Sequence, residues 1–129
     1  MFPLWTLVVL LLCYLIGSIP SGMILARRLK GVDLRLHGSG NVGATNAFRA
    51  LGLAGGILVL VADLLKGFLA VKLAVLAMVP DFLAHVTTVA CGLAAIAGHN
   101  WSLFMRFRGG KGVATSFGVL LGLTPLVAA

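Results

Sequence analysis

Residues that suit the binding of an anion are concentrated in a short polar segment, 38–49, which lies between two long apolar runs. Its glycines let backbone N–H groups approach a ligand closely, and successive N–H groups form an anion-binding concavity. The pattern predicts a short helix from Ala44 to Leu51, closed by Gly52, whose N-terminus favours a phosphate group. Thr45, Asn46 and Arg49 would share one face of that helix.

A second polar segment, 98–112, also combines glycine with basic residues. The basic residues are Arg106, Arg108 and Lys111. The run Gly110-Lys111-Gly112 resembles part of a Walker A loop, but Gly112 stands where that loop needs Ser or Thr. The spacing Gly38-x-Gly40-x-x-Gly43 matches a dinucleotide fingerprint but lacks the preceding strand. Both segments therefore predict phosphate binding outside the nucleotide-binding folds, and the alternative for each is a flexible turn between helices.

Few other side chains could carry chemistry. Asp63 and Lys66 are three residues apart and would share a helical face, where a structural ion pair is the simpler interpretation. His99 ends an apolar run and could act as a base, as a ligand or as a partner in a helix-end hydrogen bond. The sequence offers no catalytic triad, no paired carboxylates and no Cys/His cluster, so a metal site and a cofactor are not expected. Chemistry would have to depend on binding and charge stabilisation.

The composition of the chain is typical of a membrane protein. Of the 129 residues, 60% are hydrophobic and only 10% are charged, and the mean hydropathy is +1.13. A soluble domain has about a quarter of its residues charged. The net charge of +7 comes from residues clustered in loops between apolar runs, which argues against nucleic-acid binding. We predict one all-α membrane domain, 1–129, built as a polytopic transmembrane helical bundle with two glycine-rich cytoplasmic loops. Cys13 and Cys91 lie inside apolar runs and are expected in its core.

Four apolar runs are expected to span the bilayer, at residues 3–25, 53–79, 82–98 and 113–129. Gly17-Ser18-Ile19-Pro20 should interrupt the first run, and Gly67 is a candidate break in the second. Lys and Arg cluster in segments 27–49 and 98–112, so the positive-inside rule places both in the cytoplasm and the N-terminus outside. The spacing of Gly118 and Gly122 favours helix packing.

Two function classes are compatible with these features. An enzyme would gather its polar segments on one side of the membrane, as 27–49 and 98–112 are predicted to be. A small multi-pass anion-binding or transport protein would instead line a path across the bilayer, for which Asp63, Lys66 and Lys72 are candidates. The one-sided clustering favours the enzyme.

Several motifs together resemble the bacterial acyl-phosphate:glycerol-3-phosphate acyltransferase family. They are Gly17-Ser18-Ile19-Pro20, Ser39-Gly40-Asn41-Val42-Gly43-Ala44-Thr45-Asn46, Asp63-x-x-Lys66-Gly67, Gly98-His99-Asn100 and Phe107-Arg108-Gly109-Gly110-Lys111-Gly112-Val113-Ala114-Thr115. The resemblance covers the whole chain. It implies transfer of a fatty acyl group from acyl phosphate to glycerol 3-phosphate, which gives lysophosphatidic acid in the first step of phospholipid synthesis.

The resemblance also implies roles for individual residues. Acyl phosphate would be bound by Ser39, Gly40, Asn41, Gly43, Thr45 and Asn46. Glycerol 3-phosphate would be bound by Arg49 and Lys111. Supporting positions would be Asp63, Lys66, His99, Gly109, Gly110 and Gly112. No protein nucleophile, cofactor or metal is implied, and the departing phosphate would take the hydroxyl proton.

The same resemblance carries expectations about the setting of the protein. It implies a multi-pass protein of the bacterial inner membrane that contacts membrane lipid, with an enzyme that produces acyl phosphate as a candidate partner. Family members are longer and have a third cytoplasmic motif near the C-terminus. We therefore expect residues 1–129 to be the N-terminal part of a family domain and to have little activity alone. In that case Gly118 and Gly122 would lack a packing partner.

Overall fold

The protein is all-α in the computed structural model, which describes residues 4–77 and 81–127. Predicted features at residue 3, residues 78–80 and residues 128–129 lie outside this description. The helices are α1 (Leu4–Ser18), α2 (Ser21–Lys30), α3 (Ala44–Leu76), α4 (Asp81–Asn100) and α5 (Val113–Val127). Short 3-10 turns occupy Leu34–Leu36 and Leu103–Met105. We call residues 37–43 the first loop and residues 101–112 the second loop.

The predicted interruption of the first apolar run is confirmed. Helix α1 ends at Ser18, and Pro20 is the N-cap of α2, where its missing N–H costs no helical hydrogen bond. Helix α2 continues to Lys30, beyond the predicted end of the run at residue 25, so the basic residues that follow form its last turn. Gly31 then ends α2 in a left-handed conformation, with its N–H bonded to the last carbonyls of the helix.

Helix α3 turns at Gly52, where the sequence predicted the end of a short helix. Gly52 has φ +79° and ψ −173°, which lie outside helical values, and the helix resumes immediately after it. Gly67, the other candidate break, is helical. Its missing side chain instead lets the backbone of Thr115 approach, because an added Cβ would overlap the Thr115 carbonyl oxygen.

Small residues determine how closely the helices pack. Gly118 lies against the Leu64 carbonyl and Gly122 against Val71, so both pack α5 onto α3. The packing role predicted for the two glycines is confirmed. The expectation that they would lack a partner within residues 1–129 is wrong, because α3 supplies that partner.

Two apolar clusters hold the bundle together. One lies between α1, α3 and α4 and contains Cys13 and Cys91, both fully buried, which confirms their predicted place in the core. Its members are Val9, Cys13, Ala70, Ala74, Cys91 and Ala95. The other lies beneath the first loop and joins α2 to the start of α3. Its members are Met23, Ala26, Leu34, Val42, Ala47, Leu51, Val59 and Met105.

The outer faces of the bundle are apolar. Large hydrophobic side chains are more than half exposed on each long helix, for example Leu11, Leu69, Leu93 and Leu120. Such a surface is typical of contact with lipid. Within the described residues, the run Leu4–Lys30 is the one whose length and composition suffice to cross a bilayer, and Val113–Thr124 is a shorter apolar helix.

Candidate anion-binding site

The amide of Asn46 folds the first loop. Its side-chain nitrogen donates to the carbonyl oxygens of Leu34, His37 and Asn41 at 3.0, 2.9 and 2.8 Å. Its side-chain oxygen accepts from the backbone N–H of Ser39 at 3.2 Å. Asn46 is 1% exposed, so it is a buried brace for the loop. The expected direct contact of this amide with a phosphate is therefore corrected, because its donors and its acceptor are already engaged.

Two further backbone donors of the first loop are also bonded within the loop. Gly40 N–H donates to the His37 carbonyl at 2.9 Å, and Gly43 N–H donates to the Asn41 side-chain oxygen at 2.8 Å. This differs from the predicted cradle of successive loop N–H groups. The Asn41 side chain satisfies Gly43 N–H in an Asx turn, and a backbone turn satisfies Gly40 N–H.

The loop presents the first turn of α3 in place of that cradle. The first intrahelical acceptor, the Gly43 carbonyl, is used by Ala47 N–H at 3.1 Å. The N–H groups of Ala44, Thr45 and Asn46 precede it and have no acceptor within the helix. Their partial positive charge makes this end of α3 an anion site.

The second loop also leads into a helix N-terminus, and backbone hydrogen bonds hold it in place. Gly109 N–H donates to the Asn100 carbonyl and Gly110 N–H to the His99 carbonyl, both at 3.0 Å. These bonds cap the C-terminus of α4, so the two glycines do not offer their N–H groups to a ligand. The loop leads directly into α5, whose first helical bond runs from Ser116 N–H to the Gly112 carbonyl at 2.8 Å. The N–H groups of the first turn of α5 are therefore unpaired within the helix.

The second loop is also tied to α1. The Tyr14 hydroxyl donates to the Trp101 carbonyl at 2.7 Å, and the Ser102 hydroxyl donates to the Ser18 carbonyl. Gly98 lets the two helices approach, because an added Cβ would overlap the Tyr14 carbonyl oxygen. The chain between α4 and α5 is therefore attached to a neighbouring helix.

The two helix N-termini open into one cavity of about 340 Å³. Its polar lining combines residues from both loops and from the middle of the bundle. These residues are Ser39, Asn41, Gly43, Thr45, Asn46, Arg49, Asp63, His99, Lys111 and Gly112. The structure thus brings together most of the residues selected from the sequence. The cavity lining does not include Gly40, Lys66, Gly109 or Gly110.

Arg49 and Lys111 are the cations of this cavity, and both are exposed. Within the described ranges neither has a carboxylate partner or a side-chain hydrogen bond. Arg35, in contrast, is paired: its guanidinium nitrogen lies 2.6 Å from the Asp33 carboxylate. Hydrogen bonding from Arg35 lowers the pKa of Asp33 to about 2, and Asp33 raises the pKa of Arg35. The uncommitted positive charge near the cavity is therefore that of Arg49 and Lys111.

Sequence reasoning missed the apolar part of the cavity. This part is formed by Ala44, Leu60, Val113, Ala114 and Phe117. Val113 and Phe117 are four residues apart on α5 and face the same side, a signal that helical periodicity could have provided. A cavity with two helix N-termini, two free cations and an apolar flank suits an amphiphilic anion.

These features define the class of protein: an all-α membrane bundle with a candidate anion site between two helix N-termini. The profile of the glycerol-3-phosphate acyltransferase family matches residues 7–129. The chain belongs to that family.

Individual relatives are similar over most of this chain. The glycerol-3-phosphate acyltransferase of Bacillus velezensis is 52% identical over 118 residues, which cover 92% of this chain and 58% of that protein. The corresponding enzyme of Desulforudis audaxviator is 47% identical over 129 residues, covering 100% of this chain and 63% of the relative. The chain thus spans less than two thirds of the length of these relatives.

Solved structures agree with the fold. The crystal structure of PlsY (YgiH), an integral membrane glycerol 3-phosphate acyltransferase, in its glycerol 3-phosphate form is 46% identical with a TM-score of 0.81. The match covers 95% of this chain and 60% of that one. The lysophosphatidic acid form of PlsY has a TM-score of 0.78 and 44% identity, with 95% and 59% of the two chains covered. This similarity, together with the apolar outer faces, shows a membrane location.

Proposed function

We propose that the protein containing this chain transfers a fatty acyl group from acyl phosphate to glycerol 3-phosphate, forming lysophosphatidic acid and inorganic phosphate. The observation that carries the proposal is the convergence of the α3 and α5 N-termini on one cavity that also contains Arg49 and Lys111. Both substrates are phosphate monoesters or anhydrides, so two anion-binding ends in one cavity match two phosphates. Family membership supports the same reaction.

The acyl phosphate would lie against the start of α3. Its phosphate would meet the N–H groups of Ala44 and Thr45 and the side chains of Ser39 and Thr45. Gly43 leaves room for this approach, while Asn41 and Asn46 hold the loop in place from behind. The acyl chain would follow the apolar flank at Leu60 and Phe117, which continues toward the lipid-facing surface.

Glycerol 3-phosphate would be held by Arg49 and Lys111. Arginine can bind a phosphate through two parallel N–H donors, and lysine adds a compact positive charge. Anchoring the phosphate of the acceptor would aim its free hydroxyl at the acyl carbon. Holding two reactants in this way can supply about 7–11 kcal/mol of a reaction barrier.

The reaction then needs no protein nucleophile. The acceptor hydroxyl oxygen forms the new bond to the acyl carbon, and the bond from that carbon to the phosphate oxygen breaks. The leaving phosphate takes the hydroxyl proton. Positive charge from the first turn of α3, against which the acyl phosphate lies, would stabilise the departing oxygen.

We also propose the membrane orientation suggested by the charge pattern: a multi-pass protein of the bacterial inner membrane, with the N-terminus outside and both loops in the cytoplasm. A cysteine at position 36 tests this, since Leu36 is 83% exposed while Cys13 and Cys91 are buried. An impermeant maleimide should label it in inverted vesicles and fail to label it in intact cells. Labelling in intact cells would overturn the orientation.

The direct test of function uses the whole protein that contains this chain, in nanodiscs, and measures formation of lysophosphatidic acid from radiolabelled glycerol 3-phosphate and acyl phosphate. We expect product that requires acyl phosphate and that disappears in an Arg49→Gln/Lys111→Gln variant. Acyl-CoA in place of acyl phosphate is the matched negative control. Movement of phosphate across vesicles without product would favour the transport alternative. An enzyme that supplies acyl phosphate remains a candidate partner.

A further inference from the structure

Three ionisable side chains are buried together where the break between α1 and α2 meets α3 and α4. They are Asp63, Lys66 and His99, whose side chains are 3%, 7% and 6% exposed. Ionisable groups inside a membrane bundle are costly, and they persist where they have a specific task. The substrate contacts proposed above do not use Lys66.

Lys66 spans the bundle to the helix break. Its Nζ donates to the Ile19 carbonyl at 3.0 Å, and the same carbonyl also accepts from Ser21 N–H at 2.9 Å. On its own helix, Lys66 Nζ lies 3.0 Å from Asp63 Oδ1. This contact is an ion pair between two buried side chains.

His99 continues the chain of contacts to the second loop. Its Nδ1 lies 3.6 Å from Asp63 Oδ1, too far for a hydrogen bond but close enough to face the carboxylate. The other side of the ring supports Gly110, because an added Cβ there would overlap His99 Nε2. Gly110 is the residue before Lys111. Contacts therefore run from Ile19 through Lys66, Asp63 and His99 to Gly110.

This chain of contacts connects the two walls of the cavity. Asp63 belongs to α3, the helix that carries Arg49, and His99 belongs to α4, whose end holds the second loop. Packing alone does not need charges at this point. A protein with apolar residues of similar volume in place of a buried ion pair is often as stable or more stable. A directional contact between α3 and the second loop would instead fix the separation of Arg49 and Lys111.

We propose that Asp63, Lys66 and His99 are positioning residues that hold Lys111 and the start of α5 at a set distance from Arg49 and the start of α3. The proposal deepens the proposed function and rests on it for its consequence in catalysis. The distance between the start of α3 and the start of α5 can be measured without any reaction.

The central experiment compares Asp63→Asn and Lys66→Met with the double variant in the protein reconstituted in nanodiscs. Each single variant leaves one buried group without its partner and should lower thermal stability. The double variant removes both charges and should regain most of that stability. If the residues serve stability alone, turnover will recover with it. If they position the cavity, kcat will stay about tenfold to a hundredfold below wild type, because small misplacements of reactants are costly.

A second measurement reports spacing directly. Spin labels at Thr45→Cys and Val113→Cys, in a background lacking Cys13 and Cys91, place one label at the start of α3 and one at the start of α5. We expect a narrow distance distribution with the native network and a broadened one in the Asp63→Asn/Lys66→Met background. Lys72→Met is the matched control, because Lys72 is on the same helix and its Nζ lies over the Phe68 ring, 5.2 Å from the centroid.

The outcomes separate the two claims. If the double variant broadens the distribution while the unlabelled wild-type protein makes no lysophosphatidic acid, positioning is supported and the proposed function is refuted. Normal turnover and an unchanged distribution in the double variant would overturn positioning while leaving the function intact. If the double variant fails to fold, His99→Asn takes its place, since it keeps a donor toward Asp63 but withdraws support from Gly110. It should broaden the distribution without changing the number of buried carboxylates or ammonium groups, and an unchanged distribution would again overturn the proposal.

Discussion

The two loops that end at the cavity have similar compositions but are held in different ways. The first loop is folded by one buried side chain, Asn46, which follows it in sequence. The second loop is folded by the backbone carbonyls of the helix that precedes it. In both loops several backbone N–H groups are bonded within the protein, and each loop leads into the first turn of a helix. A glycine-rich polar segment can therefore contribute to an anion site by positioning a helix N-terminus rather than by binding the anion itself.

The largest expected effect tests whether Arg49 of α3 and Lys111 of the second loop bind the same ligand. Lys111→Ala should cost about 2–5 kcal/mol in kcat/KM for glycerol 3-phosphate, as expected for a partly desolvated charge pair that loses one member. Steady-state kinetics with varied glycerol 3-phosphate measures it. Lys72→Ala is the control, because Lys72 is also on a described helix but does not line the cavity. Equal effects of the two substitutions would remove Lys111 from the acceptor site.

The next largest effect is expected from Asn46→Ala, which should disrupt the first loop and leave the second loop intact. Asn46→Ala leaves the buried Leu34 carbonyl without its partner, a loss of about 1–3 kcal/mol in the free energy of unfolding. Thermal unfolding in detergent should show it, together with weaker use of acyl phosphate. Asn100→Ala is the matched control beside the second loop, because the Asn100 side-chain oxygen has no hydrogen-bond partner within the described residues. A larger loss from Asn100→Ala would reverse the contrast between the loops.

A smaller effect sharpens the account of the first loop. Gly38 and Gly31 both have positive φ, +52° and +64°, so alanine is strained at either site by about 1–2 kcal/mol. At Gly38 the added Cβ would also overlap the Asn46 side-chain oxygen, whereas nothing lies within 4 Å at Gly31. Gly38→Ala should therefore lower the melting temperature more than Gly31→Ala. Equal shifts would mean that Asn46 does not depend on close contact with Gly38.

The smallest effect concerns the turn before the first loop. The pKa of Asp33 falls from 3.8 to about 2 because Arg35 donates to its carboxylate. A lowered pKa in the folded state means that the carboxylate stabilises the fold above about pH 4 and loses this contribution as the pH falls toward 2. Wild type and Asp33→Asn should thus differ slightly in melting temperature at pH 5 and converge near pH 2. A difference that grows on acidification would contradict this assignment.

Much of the architecture could be predicted from local signals. The apolar runs predicted the long helices, Gly17-Ser18-Ile19-Pro20 predicted the break before α2, and Gly52 predicted the turn in α3. The prediction at Gly67 failed because a glycine can equally serve close helix contact, and only the neighbouring Thr115 backbone reveals which use applies. A sequence pattern does not distinguish a flexible glycine from a packed one.

The site was less accessible to sequence reasoning. The residue types around Arg49 and Lys111 predicted two anion-binding segments, but only the family resemblance, and not local spacing, predicted that the two residues bind one ligand. The direction of the Asn46 side chain was also hidden, since an amide on a helical face can turn toward a ligand or toward its own loop. Tertiary contacts with Leu34 and His37 decide that question.

The turn at Gly52 has a consequence for the response of the protein to its lipid environment. A long helix adapts to bilayer thickness by tilting. The segment of α3 after Gly52 would carry that tilt, while the segment with Thr45 and Arg49 is attached through Asn46 to the first loop. Gly52 adopts its left-handed backbone conformation without strain, whereas a residue with a Cβ would be strained there. We therefore expect turnover to be nearly independent of lipid chain length, and Gly52→Ala, which restricts the turn, to make it sensitive to bilayer thickness in nanodiscs of graded acyl length.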